Sequence, residues 1–197
     1  MGRVVHIIGN GDNAQMYKPA KGVKITCNLP PFEVPNAYAT CIVDFKMMRA
    51  MAEGSVFPPG QWILGFRPKK FLEMNPALRL KWANHIKEFY TALPEYVNGY
   101  TDFNCGHMAT HYALNKADAS EVHMYGFDSM FGPNLRSCTD FYLNSDRGDT
   151  NNHRLANNWR PIWTNMFTEY KDVEFKIHHS HKNIKFPIPE NVEIITE

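Results

Sequence analysis

The chain has 197 residues, 21 Lys+Arg against 20 Asp+Glu, and 44% apolar residues. That length supports one domain with a core of its own, and the apolar and aromatic content is too high for a disordered chain. A net charge of +1 argues against a general nucleic-acid or anionic-membrane binder, which carries a marked basic excess. No run reaches the ~20 apolar residues of a membrane-spanning helix. The opening run of Arg3 to Ile8 breaks at Gly9, too early for a signal peptide. Cys27, Cys41, Cys105 and Cys138 lack the close spacing of a zinc knuckle or redox motif, and a disulfide framework needs more of them in less chain. The expectation is a reduced, cytoplasmic protein without a membrane span.

In chain order, Arg3–Ile8 is a β-branched run stopped by Gly9-Asn10-Gly11, which reads as a strand buried on both faces. Val23–Asn28 and Ala39–Asp44 are two further strands, and Phe45 to Gly54 carries Met47, Met48 and Met51 at helical spacing with Gly54 as its stop. Gln61–Phe66 reads as a fourth strand. Leu78, Trp82, Ile86, Phe89 and Leu93 follow a three-to-four residue period and predict one helix from about Pro76 to Leu93. A shorter helical pattern follows Asn104, with Met108, Tyr112 and Leu114, and Val122–Tyr125 closes at Gly126-Phe127-Asp128. Residues 127–151 form a long polar loop. Ile162, Trp163, Met166, Phe167 and Tyr170 mark another helix, and Val173–His178 a last strand.

Strands alternating with helices imply crossover connections, a mainly parallel sheet and helices on both faces. The expected architecture is a single-domain α/β fold, a three-layer α/β/α sandwich over residues 1–181, with 182–197 as a C-terminal surface tail. Ligands of such sheets bind outside the carboxyl ends of the strands, where Asn10, Asn28, Asp44 and Asp128 stand.

Gly9-Asn10-Gly11-Asp12-Asn13 can bring backbone N–H groups close to a phosphate or can simply turn the chain. It lacks the third glycine of a dinucleotide fingerprint and the Gly-Lys-Ser/Thr of a P-loop. Asn28 offers a donor and an acceptor to a base, ribose or phosphate, or else initiates a turn. Asn104 suits a helix N-cap, Gly106 permits close approach, and Cys105 is a nucleophile only beside a base in an electropositive setting. His107 and His111 share a helix face at zinc spacing, but the glutamate of H-E-x-x-H and a third ligand are missing, so structural roles are expected and no metal site is assigned. His153, in the long loop, is of the type that transfers protons near neutrality. Arg67, Lys69, Lys70, Arg79, Lys81 and Lys87, with Phe66, Phe71 and Trp82 among them, read as a solvated face over core aromatics or as a patch that tracks phosphates and stacks bases.

The order of Ile7-Ile8-Gly9-Asn10-Gly11, Thr26-Cys27-Asn28, Asn104-Cys105-Gly106-His107-Met108-Ala109 and Met124-Tyr125-Gly126-Phe127-Asp128 resembles the Rossmann-like glycosyltransferases of bacterial sialyltransferase family 42. It is also similar to the motility-associated-factor and hydroxymethylpterin pyrophosphokinase-like proteins. The resemblance implies a Rossmann-like domain binding a nucleotide-sugar donor, CMP-linked in the sialyltransferases. The implied donor contacts are Gly9, Asn10, Gly11, Asn28, Asn104, Cys105 and Gly106. His153 is implied as the general base, and Asp128 closes the Gly-x-Asp strand as a second catalytic candidate. The chain departs from the family's Gly-Asn-Gly-Pro-Ser with Asp12 and Asn13, and from its Ser-Gly with Cys105-Gly106.

The reading that follows is an inverting, metal-independent glycosyltransferase acting on a hydroxyl acceptor, with nucleic acid among the possible acceptors. Two alternatives stand beside it. One is a pyrophosphokinase-like transferase needing Mg, with Asp12, Asp44 and Asp128 as ligands; the other is a non-catalytic nucleotide-binding protein.

Overall fold

A computed structural model describes residues 2–133 and 155–196. The strands are β1 (Arg3–Ile8), β2 (Val23–Cys27), β3 (Ala39–Ile42), β4 (Gln61–Leu64), β5 (Ile86–Phe89), β6 (Ala119–Tyr125), β7 (Glu174–His178) and β8 (Val192–Ile195). The helices are α1 (Phe45–Ala52), α2 (Phe66–Met74), α3 (Pro76–Lys81), α4 (Cys105–Asn115) and α5 (Arg160–Glu169), the last entered through a π-helical turn at Leu155–Trp159. The strands form one sheet in the order β5-β4-β3-β2-β1-β6-β7-β8, and every pairing is parallel. Connections run one way from β1 through β5 and return to its other side at β6, so the topological switch point lies between β1 and β6.

Two apolar layers sandwich the sheet, as the alternation of strands and helices predicts. Val5, Ile7, Ile25, Cys41 and Ile63 pack with Met108, Ala109 and Tyr112 of α4 and with Trp163, Met166 and Phe167 of α5. On the opposite face Ile42, Trp62 and Leu64 meet Met47, Met48, Met51, Leu72 and Trp82. Each fully buried Val, Ile, Leu, Met or Phe among them contributes about 1.5–3 kcal/mol of transfer free energy. Two of the buried hydroxyls are paired: Thr26 Oγ1 and Thr40 Oγ1 lie 2.6 Å apart, and Thr40 donates to the Pro59 carbonyl at 2.6 Å. The α1 stop is as expected, with Gly54 at φ +78° just past the Glu53 cap. No helix among the described residues is long and apolar enough to cross a membrane.

Two expectations are corrected. The helix predicted from Pro76 to Leu93 ends at Lys81, and the chain turns at Trp82–His85 into β5. Leu78 from the helix, Trp82 from its cap, and Ile86 and Phe89 from the strand all reach the same apolar cluster. A helix and a strand sharing one core thus imitate a single helical period. The segment 182–197, predicted to be a surface tail, supplies β8, whose Val192 and Ile194 are buried against the sheet and pair in register with Phe175 and Ile177. The period-2 pattern Val192-Glu193-Ile194 carries this edge strand past the two prolines at 187 and 189.

Candidate functional site

At the switch point the two strand-end turns bond to each other. Gly9 N–H donates to the Tyr125 carbonyl at 2.7 Å, and Gly11 N–H to the Gly126 carbonyl at 2.9 Å. The amides that the sequence offers as a phosphate cradle at positions 9 and 11 are therefore spent within the backbone. A Cβ on Gly11 would lie 2.6 Å from the Asp128 carboxyl carbon, so glycine here serves backbone-to-backbone approach. The Asp128 carboxylate accepts from Asn13 Nδ2 at 2.9 Å and faces Asn13 N–H at 3.3 Å. Asn13 Oδ1 in turn accepts from Ser180 N–H at 2.9 Å. Asp128 thus ties the ends of β1, β6 and β7 together. Asn10 is half-buried beside this staple.

A second junction forms where β2, β3 and α4 meet. Asn28 leaves β2 with φ +53°, a left-handed conformation that asparagine tolerates better than most residues. Its N–H donates to the Cys41 carbonyl at 2.9 Å, and its Oδ1 accepts from the Cys105 thiol at 2.9 Å. Its Nδ2 lies 3.5 Å from Asp44 Oδ2. The sequence motifs at Asn28 and Cys105, 77 positions apart, are thereby in contact.

The start of α4 is fixed by a reciprocal cap. Asn104 Oδ1 accepts from His107 N–H at 2.8 Å, and Asn104 N–H donates to His107 Nδ1 at 3.2 Å. His107 Nε2 donates to the Trp159 carbonyl at 3.1 Å, which assigns the neutral Nε2–H tautomer. Its complete burial lowers the imidazole pKa to about 3, opposed in part by the Trp159 hydrogen bond. Gly106 lets this first turn lie on the end of β6, since a Cβ there would sit 2.5 Å from Phe127 Cε1.

His111 is held elsewhere, its Nδ1 2.7 Å from the Tyr90 hydroxyl, so the two α4 histidines have structural partners. His178 bonds to His123, and His179 stacks on Phe131 at 3.6 Å. Among the described residues no three His, Cys, Asp or Glu side chains are grouped to hold a metal. His153 lies outside the described residues.

Open volume lies next to the Asn28 junction. A cleft of about 680 Å³ opens over the carboxyl ends of β3, β4 and β5, lined by Val43, Phe45 and Phe66 on one side and by Thr91, Leu93 and Phe103 on the other. Arg67 and Lys70, from the first turns of α2, line it together with the Asp102 carboxylate, a charge balance of +1. Arg67 donates to Asp102 at 2.6 Å, and this hydrogen bond raises the guanidinium pKa. Val43, at the cleft wall, is followed directly by Asp44, so the cleft and the Asn28 junction adjoin through two successive residues. Sequence reasoning placed Arg67 and Lys70 only in a basic stretch; the signal it passed over is Gly65-Phe66-Arg67, a strand end followed by a helix start. Of the aromatics in that stretch, Trp82 is buried and Phe71 half-buried against the core, whereas Phe66 is 67% exposed.

Comparisons with protein-family models, with curated proteins and with solved structures find no match for this chain.

Proposed function

We propose that the chain is a glycosyltransferase whose nucleotide-activated donor lies along the carboxyl edge of the sheet, from the Asn28–Cys105 junction into the cleft over β3–β5. The observation that carries this reading is the cleft itself: about 680 Å³, apolar on its broad walls and bordered by Lys70 and by the Arg67–Asp102 pair. That volume falls in the range of small-molecule sites, and the walls suit a ligand with flat apolar faces and a charged phosphate. In the reaction, the acceptor hydroxyl attacks the anomeric carbon as its bond to the phosphate oxygen breaks. His153, named by the family resemblance, takes the hydroxyl proton. The departing nucleoside phosphate takes the bonding electron pair, and Arg67 and Lys70 meet its charge.

Asp44 and Asp128 are both engaged with asparagine amides. This favours charge stabilisation by cations over the alternative in which those carboxylates gather Mg for phosphoryl transfer. Asp128 on this reading positions strand ends and takes no part in proton transfer. The buried free thiols Cys27, Cys41 and Cys105 suit a reducing compartment, the cytoplasm.

A thermal-shift series with nucleotides and nucleotide sugars, with and without Mg, tests the reading. A bound donor raises the melting temperature according to its concentration relative to its dissociation constant. Arg67→Ala with Lys70→Ala should abolish that rise, and His153→Ala should keep it while losing transfer. No shift with any nucleotide sugar, or full transfer by His153→Ala, overturns it.

A further inference from the structure

Charge is spread unevenly along this nearly neutral chain. Residues 66–87 hold Arg67, Lys69, Lys70, Arg79, Lys81 and Lys87 against a single carboxylate, Glu73, a local balance of +5 in a chain of net +1. Most of these cations fall on α2 and α3, where Lys70, Arg79 and Lys81 are exposed and Lys69 is half-buried. Phe66, the first residue of α2, is 67% exposed. It lies four positions before Lys70, so the two share one helix face, and both border the cleft. Beyond Phe66, Met74 and Leu80 also leave large apolar side chains in solvent, at 63% and 80% exposure. The Arg79 guanidinium rests over the Phe89 ring, 5.3 Å from its centroid, which holds that charge at the surface. The acidic groups nearby are Glu73 on α2, Asp102, which is bonded to Arg67, Asp44, whose charge also acts on Arg67, and Glu88, which follows Lys87 and pairs with Lys116.

We infer that the α2–α3 face binds a single-stranded nucleic acid, with one base stacked on Phe66 and phosphates met by Lys69, Lys70, Arg79 and Lys81. Charge complementarity selects a polyanion, and an exposed ring beside a cation selects unpaired bases. A base in a duplex has no free face to offer, whereas base–aromatic stacking tolerates any sequence in a single strand. An acidic peptide matches the cations but leaves Phe66 without a flat partner. The position of Phe66 at the cleft rim also places a nucleotide of the bound strand beside the donor site. If the transfer reading holds, a hydroxyl of that strand is the acceptor; strand binding itself does not depend on that reading.

The experiment is fluorescence anisotropy with labelled single-stranded oligothymidylate and oligouridylate and the intact protein, across a salt series. Four phosphate contacts predict that log K falls with log salt at a slope of about −3. Phe66→Ala should weaken binding roughly tenfold at every salt concentration and leave the slope unchanged. Lys69→Glu with Lys81→Glu should weaken binding and flatten the slope. These side chains carry little of the core, and an unchanged melting temperature confirms that the variants fold.

Three results overturn the inference: no saturable strand binding, equal binding of a base-free polyanion such as heparin with no effect of Phe66→Ala, or competition by free mononucleotide as effective per nucleotide as by the strand. The last marks the cleft alone as the nucleotide site. Loss of strand binding with the donor-induced thermal shift intact refutes this inference only, and the converse refutes only the transferase reading.

Discussion

Acidification should loosen the fold through His107, the residue that holds the start of α4 beside Asn28. Its imidazole is wholly buried and its pKa is lowered from 6.5 to about 3. For a histidine shifted downward, the unfolded chain binds the proton first. The stability is therefore complete above the unfolded pKa and is lost as pH falls from about 6.5 toward the folded value. Between pH 7.5 and pH 5.0 the unfolded histidine goes from mostly neutral to almost fully charged, while the buried one stays neutral. That difference removes about 2 kcal/mol of stability, or roughly 4–8 °C in melting temperature for a domain of this size. Burial also lowers the pKa of His6, His111 and His179, and these act in the same direction. His107→Gln isolates the one group: it keeps a donor and an acceptor but does not titrate. The variant starts less stable because it loses contact with Trp163, whose ring centroid lies 4.5 Å away. Urea unfolding at both pH values should show the wild type losing about 2 kcal/mol more than the variant on acidification. Equal losses, or a His107 ring proton that titrates near pH 6.5 by NMR, would refute the reasoning.

Three further outcomes are expected. Gly11→Ala forces a Cβ to within 2.6 Å of Asp128 Cγ and should cost about 1–3 kcal/mol in chemical denaturation, by straining the turn and loosening the Asp128–Asn13 bonds. Ile194→Ala, at a buried position in β8, should cost about 2–3 kcal/mol; a change under about 0.5 kcal/mol would return the segment to a surface tail. Arg67→Ala breaks an ion pair whose partners are 38% and 43% exposed, so stability should move by less than about 1 kcal/mol. The same change should remove nucleotide-sugar protection in the thermal-shift assay, and unaltered protection would take Arg67 out of the site.

The parts of the fold that were legible are those where local pattern and tertiary role agree. β1, β2, β3 and β4 are short, mostly apolar runs closed by glycine, asparagine or a helix start, and buried parallel strands demand that pattern. α4 announces itself through Asn104, because a cap needs only its own first turn. The helix drawn across Ile86 failed because periodicity records which residues face a core without recording what backbone delivers them. α2 was missed because Leu72 and Pro68 are its only buried residues, leaving too narrow a stripe to register as amphipathic. The site divides the same way. The contact of Asn28 with Cys105 was foreshadowed by motif order, whereas the Arg67–Asp102 pair joins residues 35 positions apart that share no motif, and only folding brings them together.

The closed switch point and the open cleft have a common origin in glycine and asparagine placement. A crevice forms at a switch point when the turns after its two central strands diverge. Here Gly9, Gly11 and Gly126 lack the side chains that would hold those turns apart, and the backbones close to hydrogen-bonding distance, 2.7 and 2.9 Å. The carboxylate of Asp128 then occupies the place an anionic ligand would seek, beside Asn13 N–H. A phosphate entering there would have to displace that carboxylate and break its bonds to Asn13. On the other side of β2 the chain does the opposite. Asn28 turns out of its strand at φ +53° to hold Cys105, which anchors the start of α4 at the tips of β2 and β3. The tips of β3, β4 and β5 then look into open volume edged by Lys70 and the Arg67–Asp102 pair. A negatively charged ligand meets the Asp128 carboxylate at the first location and one cation in excess of the lining carboxylate at the second, so electrostatics and available space favour the same edge of the sheet.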